Sequence, residues 1–165
     1  MKKTLKKNTL IKSRQRVRDH GEVFTPEHIV KDMCNLIPQD VWNNITATFL
    51  EPCAGTGNIL VEIYARKLRL CKDTKDGLKA LASMVGIDIM PDNVTECRVR
   101  LKKMFLDKFP EANEFCRLTA DLILKNNIIC GDSLEIMKKW QAEEEQKTKP
   151  QQLNFFDILD KGDKQ

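Results

Sequence analysis

The 165-residue sequence lacks the marks of several common protein classes. It has no CxxC pair, and its two histidines, His20 and His28, are not placed to complete a zinc site. Its six cysteines stand apart at positions 34, 53, 71, 97, 116 and 130. Scattered in this way they read as small buried hydrophobes, so neither a disulfide framework nor a structural metal is expected. No apolar run approaches the roughly 18 residues of a membrane span. The basic N-terminus lacks the apolar stretch of a secretion signal, and the expectation is an intracellular, cytoplasmic protein. The phosphate-binding pattern GxxxxGKS/T is missing, because Asn58 and Ile59 follow Gly57. No two prolines are adjacent anywhere in the chain.

Acid is missing from residues 1–18, which carry Lys2, Lys3, Lys6, Lys7, Lys12, Arg14, Arg16 and Arg18. The whole chain is +4, so an arm of +8 precedes a body of net −4. Residues 1–19 are expected to form a basic, flexible arm, and residues 20–165 the domain. Such an arm either binds a nucleic-acid backbone by counterion release or is a solubilising tail.

What is present is an alternation of strands and helices. In "GEVFTPEHIVKDMCNLIP", Thr25 is a candidate cap, Pro26 suits the first helical position, and Glu27 suits the positive end of the dipole. Ile29, Val30, Met33 and Ile37 follow helical spacing up to Pro38. "ITATFLEP" reads as a buried strand, and a helix starts at Asn58. "KDTKDG" reads as a polar break, "LKALAS" as a short helix or turn, and "MVGIDIMP" as a second strand. A helix capped by Asp92 follows, with Val94, Val99, Leu101, Phe105 and Leu106 as its apolar face. "EANEFCRLTADLILKN" reads as a further helix. "NIICG" is a third strand, and Asp132 or Ser133 caps the helix "LEIMKKWQAEEE". "QKTKPQQ" reads as a linker and "NFFDIL" as the start of a fourth strand. Strands alternating with helices predict an α/β fold with a parallel sheet.

Ligands of open α/β sheets sit beyond the carboxyl ends of the strands. Here the first strand ends at Glu51 and runs into Gly55, Thr56 and Gly57; the second ends at Asp88; the third runs into Gly131 and Asp132. Glycines at 55 and 57 permit positive φ and let a ligand approach the backbone. Carboxylates repel phosphate but pair with an ammonium and accept from ribose hydroxyls or an adenine amine. A cationic, adenosine-bearing ligand is therefore expected, and S-adenosyl-L-methionine fits. An unpaired carboxylate ending a buried strand is costly, which singles out Glu51 and Asp88.

In order, "GEVFTP", "EPCAGTGNIL", "GIDIMPDN" and "NIICGDSL" resemble the cofactor-binding part of the adenine-N6 DNA methyltransferases of restriction–modification systems. The resemblance runs from about Gly21 to Asp132. It implies a Rossmann-like, S-adenosylmethionine-dependent methyltransferase fold, cut off here after the fourth strand. It implies that Thr25 binds the methionine carboxylate with Phe24 packed beside the cofactor. Glu51 would face the ammonium across the turn built from Pro52, Ala54, Gly55, Thr56 and Gly57. The order Pro52-Cys53-Ala54-Gly55 swaps the family's alanine and cysteine. Asp88 would hold the ribose hydroxyls, Ile89 would lie on the adenine face, and Asp132, with Ser133 beside it, would accept from the adenine amine. Residue by residue, Thr25 and Asp132 also read as helix caps and Ile89 as core.

The family's Asn/Asp/Ser-Pro-Pro-aromatic tetrapeptide, which holds the flipped adenine's amine, is missing. Phe156-Asp157-Ile158-Leu159 begins the strand that leads to it, and Asp160 to Gln165 follow instead. Three explanations stand together: a split enzyme, a degenerate or regulatory subunit, and a truncated product. Each leaves an open sheet edge that calls for a second polypeptide or self-association. A non-enzymatic interaction module of a DNA modification complex is the alternative function. A methyltransferase acting on a small molecule or a protein is a third, without a nameable pocket.

Overall fold

A computed structural model describes residues 10–148, with backbone alone over 145–148. The expected fourth strand in "NFFDIL" and Lys2, Lys3, Lys6 and Lys7 of the arm lie outside these residues. The described chain falls into two units, one up to Ser133 and one beginning at Leu134.

The first unit opens with α1 (Arg14–His20), α2 (Glu27–Asn35) and the short α3 (Gln39–Trp42). Then come β1 (Phe49–Glu51), α4 (Asn58–Leu68), α5 (Thr74–Ala82) and β2 (Met84–Asp88). It closes with α6 (Pro91–Lys108), α7 (Glu114–Asn127) and β3 (Ile128–Cys130). Helix α8 (Ser133–Thr148), from Leu134 onwards, makes up the described part of the second unit. The fold is α/β. The strands form one parallel sheet in the order β1-β2-β3, with Glu51 opposite Gly86 and Asp88 opposite Cys130. That register brings the carboxyl ends of all three strands to the same side, which is where α/β sheets hold ligands.

Burial explains why these segments pack as they do. Strand β2 is central, and Met84 and Ile87 on it are buried. Leu60, Ile63 and Tyr64 of α4 meet Val94, Leu101 and Phe105 of α6 in one core, with Ala120 and Leu124 of α7. Tyr64, fully buried, donates its hydroxyl to the Gly77 carbonyl at 3.2 Å. Lys67 is also fully buried. Its ammonium donates to the carbonyls of Ile45 and Ala47 and to Ser83 Oγ, so the segment leading into β1 is tied to the end of α5. Trp42 stacks on Phe49 at 5.3 Å, with the Arg66 guanidinium 4.9 Å above its ring, which makes it a core side chain rather than a surface for bases.

Several expectations are corrected. Residues 14–19 are not irregular: Ser13 caps α1, and Gly21, at φ 65°, closes it. Thr25 does not cap α2, whose N-cap is Pro26 and which has no side-chain cap. On α2 the buried residues are Val30 and Cys34, whereas Ile29 and Met33 are exposed. "KDTKDG" is not a break; Asp73 accepts from the Asp76 amide and starts α5 there. Asp92 does not cap α6; Met90 is its N-cap and Pro91 opens it. Val99 is exposed, and Cys97 takes the core position. The first residues of the expected linker, up to Thr148, are still helical.

Candidate functional site

The turn after β1 is held by glycine chemistry. Gly55 (φ 53°) and Gly57 (φ 88°) both occupy the left-handed region that side chains disfavour. A Cβ on Gly57 would also lie 2.5 Å from Cys97 Sγ, so no larger residue fits there. Burial pushes the Cys97 thiol up to about 12, and its role is volume rather than reactivity.

Helix α6 supplies the back wall of this turn. Asn93, Cys97 and Arg100 follow helical spacing and share one face. Arg100 Nη1 donates to the Thr56 carbonyl at 2.7 Å and to Asn58 Oδ1 at 2.8 Å. Asn58 Nδ2 in turn donates to the Thr25 carbonyl at 2.9 Å. On the other side, a Cβ on Gly55 would stand 3.3 Å from Phe24 Cδ1. The segment before α2 is thereby laid against the glycine turn.

Asp88 joins the strand ends. Its Oδ2 accepts the Gly55 amide at 2.8 Å, and its Oδ1 accepts the Met90 amide at 2.9 Å and Asn93 Nδ2 at 3.2 Å. Its carbonyl accepts the Gly131 amide at 3.0 Å, which ties the end of β3 to the same place. The Ala54 amide donates to the Ile87 carbonyl at 2.8 Å, while Ala54 and Thr56 are buried and Pro52 is half-buried. Glu51 Oε1 accepts the Cys53 amide at 3.0 Å. Glu51 and Asp88 are therefore not the unpaired carboxylates expected from the sequence: backbone and amide donors satisfy part of both. Ile89 is exposed and is not core. Asp132 is exposed and Ser133 half-buried, just past the end of β3.

The sequence did not single out Arg100, Asn58, Asn93, Arg16 or Glu22. The spacing of 93, 97 and 100 on α6 was the one available signal for a polar face turned towards the glycines. Asn93, itself 1% exposed, is bonded on both sides. Its Nδ2 also donates to Glu22 Oε1 at 2.7 Å, and its Oδ1 accepts from Lys12 Nζ at 2.8 Å and Arg16 Nη2 at 3.4 Å. Arg16 donates to both oxygens of Asp92, at 2.7 and 3.1 Å, and to Glu22 at 2.6 Å. Arg16 and Lys12 together hold the Asp92 carboxyl well below the usual carboxylate range. Part of the basic arm is thus docked on the start of α6.

In chemical terms this is the strand-end region of an α/β domain: a glycine turn packed against Phe24 and Cys97, with the carboxylates of Glu51 and Asp88 beside it. Among curated proteins, the type II methyltransferase M.VspI of Vibrio sp. (strain 343) is 31% identical over 84 residues. The matched stretch is 51% of this chain but 17% of that protein, so the likeness is to a small part of a longer enzyme. No family model matches the chain. No solved structure matches it. Among the described residues, no helix is long and apolar enough to cross a membrane.

Proposed function

We propose that the chain is the S-adenosyl-L-methionine-binding part of an adenine-N6 DNA methyltransferase of the restriction–modification type, with a Rossmann-like fold. The observation that carries this reading is the bond from the Gly55 amide to the Asp88 carboxylate, which locks the glycine turn of β1 to the end of β2. The donor set suits the cofactor. A carboxylate has about four acceptor positions; Asp88 uses three on protein donors and keeps capacity for a ribose hydroxyl. Glu51, with one backbone donor, keeps capacity for an ammonium. Thr25 and Phe24 border the turn from the segment before α2, and α4 starts at Gly57 without a side-chain cap, which suits a carboxylate at the helix N-terminus. Ile89, Asp132 and Ser133 are proposed for the adenine side. When bound, the cofactor would supply an electrophilic methyl group.

The tetrapeptide that holds the target amine is not among these 165 residues, so the proposal for them alone is binding rather than turnover. The amine-holding group would come from a second polypeptide or a longer chain, at the edge of β1 that is unpaired among the described residues. DNA contact by the basic residues from Lys2 to Arg18 belongs to the same proposal. A second reading, a non-enzymatic module of a modification complex, draws support from the protein donors that satisfy Asp88 without any ligand.

Calorimetry of the whole chain with S-adenosylmethionine tests the proposal. Saturable binding is expected, weakened at least roughly tenfold, about 1.4 kcal/mol, in Asp88→Ala. No heat of binding up to millimolar ligand would favour the module instead. Efficient N6-methyladenine formation on duplex DNA by the single chain would refute the claim that it binds without turning over.

A further inference from the structure

Asn93 sits between two carboxylates and two cations. Its Nδ2 faces Glu22 and Asp88, and its Oδ1 faces Lys12 and Arg16. An amide has two donors and an acceptor oxygen with two lone pairs, and all four are used. Reversing the amide would turn its NH2 to the cations and its oxygen to the carboxylates, so the charges fix its orientation. This orientation aims a donor at Asp88 Oδ1 while the Gly55 amide holds Oδ2. Arg16, Lys12 and Glu22 all lie in or beside α1, far along the chain from the strand end they brace.

We infer that Asn93 is the positioning residue for Asp88, and that the N-terminal segment Lys12–Glu22 is the key that sets it. The segment read as an arm for DNA is therefore also part of the ligand site's frame. Arg16 has two anchors, Asp92 and Glu22, and Glu22 passes its hold to the Asn93 amide. Loss of Arg16 frees Glu22 and one side of Asn93 together. Asp88 then loses a fixed donor and the Gly55 amide loses a fixed acceptor. The ligand consequence rests on the reading of Asp88 as the ribose-holding group; the consequence for Gly55 does not.

Two measurements on the whole chain test this. The first is amide hydrogen exchange at Gly55 relative to Leu124, a core position of α7. Arg16→Met is expected to speed exchange at Gly55 roughly fivefold to tenfold with Leu124 unchanged, and Arg16→Lys to restore most of the protection. Glu22→Gln, which keeps the shape and deletes a charge, serves if Arg16→Met does not fold, and is expected to give a smaller rise at Gly55. The second is the affinity ratio between S-adenosylhomocysteine and its 2′-deoxy analogue, which is expected to fall towards one in Arg16→Met. Unchanged Gly55 exchange in the folded variants overturns the inference, whether or not the ligand binds. A normal exchange response with no adenosyl binding by the unaltered chain overturns the cofactor reading and leaves the positioning role of Asn93 intact.

Discussion

The Asp88 carboxylate accepts the Gly55 amide at 2.8 Å, so the end of β2 holds the turn that ends β1. Two neighbouring parallel strands are stitched together beyond the last rung of their ladder. The stitch uses a charged acceptor and a backbone donor, the stronger kind of hydrogen bond.

Removing that acceptor should be felt in the fold as well as in binding. Asp88→Ala leaves the amides of Gly55 and Met90 without their side-chain partner. A loss of about 1–3 kcal/mol is expected for an unsatisfied, partly buried site of this kind. Urea unfolding of the two proteins measures it, and a difference below a few tenths would show that the turn stands without Asp88.

Gly57 is constrained twice, by its φ of 88° and by Cys97. Gly57→Ala should destabilise by about 2–4 kcal/mol. Adding Cys97→Ala should return part of that loss, because the steric share goes and the backbone strain stays. A double-mutant cycle by thermal or urea unfolding reads the coupling; strict additivity would mean that the thiol is not the obstacle.

Lys67 gives the stability a dependence on pH. Burial lowers its ammonium from 10.5 to about 8 in the folded chain. Between these values the unfolded chain holds the proton and the folded chain has lost it, so stability from this group rises as pH rises from about 8 to about 10.5. It is lost again as pH falls through 8. The gain is on the order of 3 kcal/mol. Urea titrations at several pH values, taken as the difference from Lys67→Met, isolate it from the buried thiols and Tyr64, which titrate in both proteins. A difference that stays flat from pH 7.5 to 10.5 would contradict the assignment.

DNA binding by residues 1–18, if driven by charge, should engage fewer cations than the segment contains. Lys12 and Arg16 already pair with Asp92, Glu96 and Glu22. A plot of log K against log salt should then be no steeper than about −5, the slope for six phosphates. Neutralising Arg14, or Arg18 with its long and exposed pair to Asp19 at 3.6 Å, should flatten it by about one unit each, and neutralising Lys12 should leave it nearly unchanged. Equal effects at 12, 14 and 18 would mean that the ion pairs open on binding.

The three strands and the turn at Gly55 and Gly57 were legible because local chemistry dictates them: short β-branched or apolar runs, each ending on glycine or acid. Other features depend on residues distant in sequence. The first turn of helix α5 was missed because Gly77 reads as a breaker, whereas it is where the Phe109 ring closes on the helix. Asp92 looks like a cap until Arg16 and Lys12 arrive from the other end of the sequence and occupy it. Helix α1 has no buried residue and no apolar periodicity to announce it. Its ion pairs with α6 are tertiary, and composition alone shows only a basic stretch. Glu51 and Asp88 end their strands as read, but the cost of an unpaired carboxylate does not single them out, since both already have protein donors.

The placement of the thiols has a practical consequence. Cys34, Cys71 and Cys97 are sealed in the core, but Cys53 is exposed on the glycine turn and Cys130 is exposed at the end of β3. Reagents that modify accessible cysteines should therefore mark the carboxyl ends of the strands while sparing the core thiols. On the proposed cofactor reading, the rate at which these two react should differ with and without an adenosyl compound in solution, and that difference would report occupancy without an engineered label.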